Sequence, residues 1–191
     1  MYSLSKLIQM GVKLRGNNIF INKSVKIYNP KLLTIGNNVR IDNFTILSGS
    51  GPINIGSYVH ISSNCFITSS KGINIGNFCG ISSGVKVFGS NDDYSGKYLF
   101  GPTVPNDYKN IDTGYINMED YSIIGANSIV LPNVNLNEGC IVGALSLVKK
   151  SLDPWKIYAG NPLKFIKERY KDCKKIGVSL LNDEQRKGKT N

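Results

Sequence analysis

Histidine is almost missing from this chain of 191 residues: there is one, His60. A zinc centre built on three imidazoles is therefore excluded. Four cysteines (Cys65, Cys79, Cys140 and Cys173) form no CxxC pair, so neither a metal knuckle nor a disulfide framework is read, and a reducing cytoplasmic setting is expected. No apolar run approaches 18 residues, which excludes a membrane-spanning helix. The opening MYSLSKLIQMGVKLRG has no signal-peptide core. Acidic residues are scarce at both ends. Residues 1–40 hold seven Lys and Arg and no acid, residues 41–148 are net −4, and residues 149–191 are net +7, within a total of +10. The positive charge is terminal, so a nucleic-acid track along the whole chain is not read. With 41% hydrophobic residues the chain is not a disordered polycation.

What the chain has in quantity is Ile (23), Asn (22) and Gly (20). Ile favours strands, while Gly and Asn favour turns and positive φ, a mixture that suits many short strands joined by tight corners. Cutting every twenty residues from Gly16 aligns GNNIFI (16–21), GNNVRI (36–41), GSYVHI (56–61) and GNFCGI (76–81) without a gap. Within this repeat the aliphatics step by six: 35, 41, 47; 55, 61, 67; 75, 81, 87. After an interruption the step returns at Met118, Ile124, Val130, Leu136, Val142 and Val148. A period of six fits neither an α-helix nor a hairpin. It fits a coil with three flat sides, each pointing one aliphatic inward, stacked into a parallel β-helix. Cys65, Cys79 and Cys140 fall in the small inward column two residues earlier and read as apolar filler.

These features resemble the hexapeptide-repeat acyltransferases over roughly residues 16–170. The most specific stretches are IIGANSIVLPNVNLNEGCIVGALSLVKKSL (123–152) and YAGNPLKFIKER (158–169). SNDDYSGKYLFGPTVP (90–105) is similar to loops of bacterial surface-polysaccharide and nucleotide-sugar acetyltransferases. The resemblance implies an all-β fold, a left-handed parallel β-helix of hexapeptide repeats. It implies a homotrimer with active sites between subunits, and acetyl-CoA as co-substrate with no metal. The expected organisation is a single β-helix domain over 1–170 and a basic tail over 176–191. Within the domain, 1–15 is a cap helix carrying Leu4, Leu7, Ile8 and Leu14 on one side, 89–115 an extruded loop, and 158–175 a turn and helix.

The candidate chemistry follows. His60 directly precedes the inward Ile61, so strand alternation points it outward, with Gly80 one coil on leaving open space. Imidazole titrates near neutrality and can take a proton from an attacking hydroxyl, an assistance worth about 10²–10⁴ in rate. In galactoside- and antibiotic-modifying relatives the catalytic histidine belongs to the loop. Here the loop holds Asp92, Asp93 and Tyr94 instead. One of Asp92 and Asp93 is expected to orient His60 or bind sugar hydroxyls, with Tyr94 and Lys97 lining the acceptor side; the alternative is that both only cap a turn. Backbone N–H groups at Gly80 or Gly84 are candidate oxyanion donors.

For the acetyl-CoA phosphates the expected groups are Lys149, Lys150, Lys164 and Lys167, with Arg169, around the Asn161-Pro162 turn. Gly125-Ala126 and Gly143-Ala144 are expected at equivalent corners along the pantetheine arm. The function read is O-acetylation of a sugar in a surface-polysaccharide unit or its precursor, by direct attack in a ternary complex. N-acetylation of a nucleotide-linked amino sugar is the alternative, and a non-catalytic polyanion-binding β-helix the reading from another class. Peripheral membrane contact through Lys6, Lys13 and Arg15 is the less favoured use of the basic N-terminus.

Overall fold

Aliphatic side chains at every sixth position fold inward on three faces, and the chain winds around them. The computed structural model describes residues 1–188. Face 1 stacks Lys13–Leu14, Leu33–Ile35, Ile53–Ile55, Gly72–Ile75, Tyr115–Met118 and Val134–Leu136 in that order. Face 2 runs from Ile19–Ile21 through Val39–Ile41, Val59–Ile61, Gly80–Ile81, Ile123–Ile124 and Ile141–Val142 to Lys156–Ala159. Face 3 runs from Lys26–Ile27 through Ile46–Gly49, Phe66–Ser69, Lys86–Phe88 and Ile129–Val130 to Leu147–Val148. These strands pair in parallel.

The register explains the repeat. Before the loop Leu33 pairs with Ile53 and Ile53 with Ile73, so one coil takes twenty residues. After it Ile116 pairs with Val134 and takes eighteen, three sides of six. The two extra residues sit at the corner from face 3 to face 1, as at Pro30–Leu32. The extruded loop leaves from the same corner, between Phe88 and Tyr115.

The inward columns Ile35, Ile55, Ile75; Ile41, Ile61, Ile81; and Leu47, Ile67, Val87 are all buried in one core. Beside them the small column is satisfied rather than merely hidden. Ser128 Oγ donates to the Gly143 carbonyl at 2.9 Å, and Ser122 Oγ to that of Asn137 at 3.1 Å. Burial pushes the Cys79 and Cys140 thiols up to about 12 and raises Cys65 too. These three are inert filler, as their place in the repeat predicts.

At the corner from face 1 to face 2 the backbone turns through positive φ at Asn18, Asn38, Tyr58, Phe78 and Tyr121. The three aromatics stack, Tyr58 on Phe78 at 4.8 Å and Phe78 on Tyr121 at 5.1 Å. Such a ladder offsets left-handed backbone that is unfavourable for bulky residues.

The two ends depart from the sequence expectations. The cap helix α1 spans only Leu4–Met10, closed by Gly11 in the left-handed region. Leu7 alone of its side chains is buried, Leu4 and Ile8 are exposed, and Leu14 already belongs to the first strand of face 1. Gly11 stops the helix before a 15-residue amphipathic face can form.

At the other end, the expected turn and helix over 158–175 are both present but a strand separates them. The chain turns at Asn161-Pro162 and returns as a strand, Lys164–Glu168, antiparallel to Lys156–Ala159. Helix α2 then covers Asp172–Gly188, so the expected tail from 176 is helical through Gly188, and its last three residues lie outside the described ones. Gly177 lets α2 approach the ladder: a Cβ there would sit 2.6 Å from the Tyr121 hydroxyl. Arg169 anchors the connection, donating from Nη1 to the carbonyls of Tyr121 (2.6 Å) and Gly139 (2.9 Å).

Candidate active site

The outward positions of face 2 read Phe20, Arg40, His60, Gly80 from coil to coil. Alternation turns His60 out while Val59 and Ile61 enter the core. Its side chain is 53% exposed. The Nε2 atom lies 2.8 Å from Oδ2 of Asp42, and Nδ1 has no protein partner among the described residues. Asp42 follows the inward Ile41 one coil earlier, where the chain begins its turn toward face 3. Its other oxygen accepts from Nε of Arg40 at 2.7 Å. Burial alone would raise the Asp42 pKa, but the hydrogen bonds from His60 and Arg40 outweigh it and hold the carboxyl below its ordinary value. Asp42 is thus an anion held by two hydrogen-bonding neighbours, the Arg40 guanidinium and the His60 ring. Above His60, Gly80 leaves a shelf: a Cβ there would meet nothing nearer than Ile123 at 3.7 Å.

The amides proposed as oxyanion donors are not free. Gly80 N–H donates to Ser122 at 3.1 Å and Gly84 N–H to Ser63 at 3.0 Å, both within the coil stack. Stacking strands consume the N–H groups that a corner would otherwise offer.

The extruded segment is not structureless. Ser90–Asp92 and Ile111–Thr113 form an antiparallel hairpin stem. The loop folds over face 3 and encloses a cleft of about 660 Å³ lined by Phe88, Asp92, Tyr94, Lys109, Ile111 and Leu131 among others. Asp92 accepts from the Gly101 N–H at 3.2 Å through one oxygen and keeps the other without a protein partner among the described residues.

Asp93 spends both oxygens, on Ser95 N–H at 2.6 Å and Asn110 Nδ2 at 3.0 Å. Those bonds lower its pKa, so it is the turn cap of the pair. Tyr94 is anchored by its hydroxyl to Asn91 at 3.0 Å, while Lys97 stays exposed near the tip. Asp92 and Tyr94 therefore face the cleft together, and Asp93 and Lys97 do not line it. Neither aspartate orients His60 within the protomer. The loop overlies face 3, His60 stands on face 2, and the orienting acid is Asp42.

At the far end Gly125-Ala126 and Gly143-Ala144 stack at the corner from face 2 to face 3, as expected. Gly125 N–H donates to Val142 and Leu145 N–H to Ala126, at 2.7 and 2.9 Å. A Cβ at Gly125 would lie 2.5 Å from the Ala144 nitrogen, so only glycine permits this approach. The N–H groups of Ala126 and Ala144 donate to no protein acceptor among the described residues. Two amide donors without a protein acceptor, on the edge adjoining the His60 face, suit the carbonyl oxygens of a pantetheine arm.

Lys164 and Lys167 are exposed on the last strand of face 2, beside the Asn161-Pro162 turn. Lys149 and Lys150 are exposed past the last strand of face 3, a different side of the same end. None of the four has an acidic partner within 4 Å among the described residues, which leaves them available to phosphates. Arg169, by contrast, is committed to backbone carbonyls.

Sequence reasoning missed Asp42, although the twenty-residue alignment carries the signal. It places Asp42 one coil before Ser62, two residues from the His60 column.

No family model matches the chain. Over 87 residues it is 45% identical to dTDP-4-amino-4,6-dideoxy-D-glucose acyltransferase of Escherichia coli, covering 46% of this chain and 45% of that protein. Over 80 residues it is 34% identical to a chloramphenicol acetyltransferase of Agrobacterium fabrum, covering 39% and 38%. The matched stretches thus span less than half the length of these curated relatives.

Among solved structures, AntD, an N-acyltransferase from Bacillus cereus in complex with dTDP and 3-hydroxybutyryl-CoA, superimposes with a TM-score of 0.92 at 44% identity, over 96% of this chain and 97% of that one. A hexapeptide-repeat acetyltransferase from Vibrio cholerae complexed with acetyl-CoA has a TM-score of 0.58 at 16% identity, over 87% and 76%, a likeness of fold alone.

Proposed function

Because the chain belongs to the hexapeptide-repeat acyltransferases, we propose that it transfers an acyl group from coenzyme A to the amino group of a dTDP-linked amino sugar. The supporting observation is near-complete superposition on AntD, solved with dTDP-4-amino-4,6-dideoxyglucose and coenzyme A, at a TM-score of 0.91. This moves the acceptor from the sugar hydroxyl favoured by the sequence reading to an amine. Variants of AntD were solved at a serine and at an aspartate ten residues apart. This chain has two such pairs, Ser82 with Asp92 and Ser83 with Asp93, and of the two aspartates Asp92 faces the cleft with an unused oxygen. We assign Asp92 to the acceptor, with Tyr94 beside it, and leave Asp93 to its turn.

In the proposed reaction a neutral acceptor amine attacks the thioester carbonyl. A C–N bond forms, the C–S bond breaks, the amine proton passes to His60, and the thiolate leaves and collects a proton to become the free thiol. Lys149, Lys150, Lys164 and Lys167 take the coenzyme phosphates, and Ala126 and Ala144 the pantetheine.

The working form in this reading is a homotrimer. Phe20, Phe44, Ile123 and Leu145 are exposed on face 2 and its corner toward face 3, whereas Asn54, Asn74 and Asn117 line the outside of face 1. Copies packed through faces 2 and 3 would bring one protomer's loop cleft to another's His60. A cytoplasmic setting suits the four free cysteines.

The test is release of free thiol from acetyl-CoA and 3-hydroxybutyryl-CoA, with dTDP-4-amino-4,6-dideoxyglucose set against its 4-hydroxy counterpart. The amino sugar is expected to give turnover at least tenfold above the hydroxy sugar. Preference for the hydroxyl returns the assignment to O-acylation. No thiol release, with steeply salt-dependent binding to polyanions instead, removes the enzyme reading.

A further inference from the structure

Resting on the reading of His60 as the base, we infer that Asp42 is a positioning residue that fixes the imidazole as the Nε2–H tautomer, so that Nδ1 is the atom that takes the substrate proton. Three observations converge. Nε2 is 2.8 Å from Asp42 Oδ2, and a carboxylate accepts but does not donate, so the hydrogen lies on Nε2. Nδ1 has no protein partner among the described residues and belongs to a half-exposed ring, while the Asp42 side chain is only 15% exposed. Arg40 completes the arrangement by holding the second carboxylate oxygen at 2.7 Å, which fixes the carboxylate plane and keeps it ionised.

Asp42 stands at a corner of the preceding coil, and neighbouring coils lie about 4.8 Å apart. A short carboxylate there spans one coil to the ring above without leaving its own turn. The charged groups facing the ring are therefore Arg40 and Asp42 from below. The strand above contributes Gly80, and the adjoining corner contributes the hydroxyls of Ser62 and Ser83, which bond each other at 2.8 Å.

The arrangement serves the reaction in two ways. It presents an unprotonated nitrogen outward in every neutral enzyme molecule, rather than in a fraction of them. It also places an anion against the imidazolium that forms as the amine proton arrives. The proton moves from the amine nitrogen to Nδ1, Nε2–H stays with Asp42, and the Nδ1 proton then leaves with the thiol.

Asp42→Asn, Asp42→Glu and His60→Ala are compared for kcat, KM and the pH profile of kcat/KM, with thermal melts alongside. Asp42→Asn is expected to lower kcat about tenfold or more with KM for acyl-CoA unchanged. Asp42→Glu should restore part of the rate. If His60→Ala is inactive while Asp42→Asn keeps the wild-type rate, or loses rate only through a raised KM with no recovery in Asp42→Glu, the positioning role is overturned and the base survives. If His60→Ala itself keeps the wild-type rate, the base reading falls, and with it the assignment of Nδ1.

Discussion

Replacing His60 with alanine is expected to lower kcat on the true acceptor by about 10²–10⁴ and to leave stability within about 0.5 kcal/mol. The two halves of that expectation have separate causes. His60 points out of face 2 and is half exposed, so its removal opens no cavity and strips no core contact. Its hydrogen bond to Asp42 is lost, but Arg40 remains to pair the carboxylate. Catalysis loses the only imidazole in the chain. Thiol-release kinetics and a thermal melt on one preparation check both halves. A variant that melts normally and turns over within a few-fold of wild type would place the base elsewhere, in the substrate itself or on another residue.

The next residue along the chain should behave in the opposite way. Ile61→Ala is expected to cost about 2–5 kcal/mol and lower Tm by roughly 4–20 °C, with kcat at low temperature within a few-fold of wild type. Ile61 is fully buried, stacked between Ile41 and Ile81 in the middle of the core column. Truncation leaves a cavity that adjoining coils cannot fill, because each is fixed by parallel pairing above and below. Differential scanning calorimetry reads the shift. An unchanged melt would mean that Ile61 does not face the core, which would break the inward–outward alternation on which the placement of His60 also depends.

The solenoid was legible because its physics is written once per six residues. An aliphatic in each inward position, with a small residue two places earlier, specifies face, register and coil together. The pairing of Ile53 with Ile73 can be read directly from the letters. His60 was legible for the same reason, as an outward neighbour of Ile61.

Asp42 was harder, because its partnership with His60 spans 18 residues and joins a strand to a corner. Only the stacked geometry shows that a corner side chain reaches the ring one coil on. The fates of Asp92 and Asp93 were not legible at all. Both are loop aspartates, and only the positions of Ser95, Asn110 and Gly101 decide which carboxylate is consumed by a turn.

The ends failed where the repeat does. Leu4, Leu7 and Ile8 suggest a longer cap helix, yet Gly11 ends it and Leu14 joins the first coil. Lys164, Phe165 and Ile166 look helical beside the charged residues that follow, yet an open strand edge at Lys156–Ala159 captures them as a strand. Of the cations expected at the C-terminal end, Lys149, Lys150, Lys164 and Lys167 are exposed, whereas Arg169 is held by backbone carbonyls 30 and 48 residues away.

Catalysis by His60 requires the acceptor amine to lie against its imidazole. A crystal structure with coenzyme A and dTDP-4-amino-4,6-dideoxyglucose measures this directly. The sugar nitrogen is expected about 2.6–3.2 Å from Nδ1 of His60, or joined to it by one water, with Asp42 still on Nε2. A sugar nitrogen held in the loop cleft with no His60 imidazole in reach, from its own or a neighbouring subunit, would contradict it.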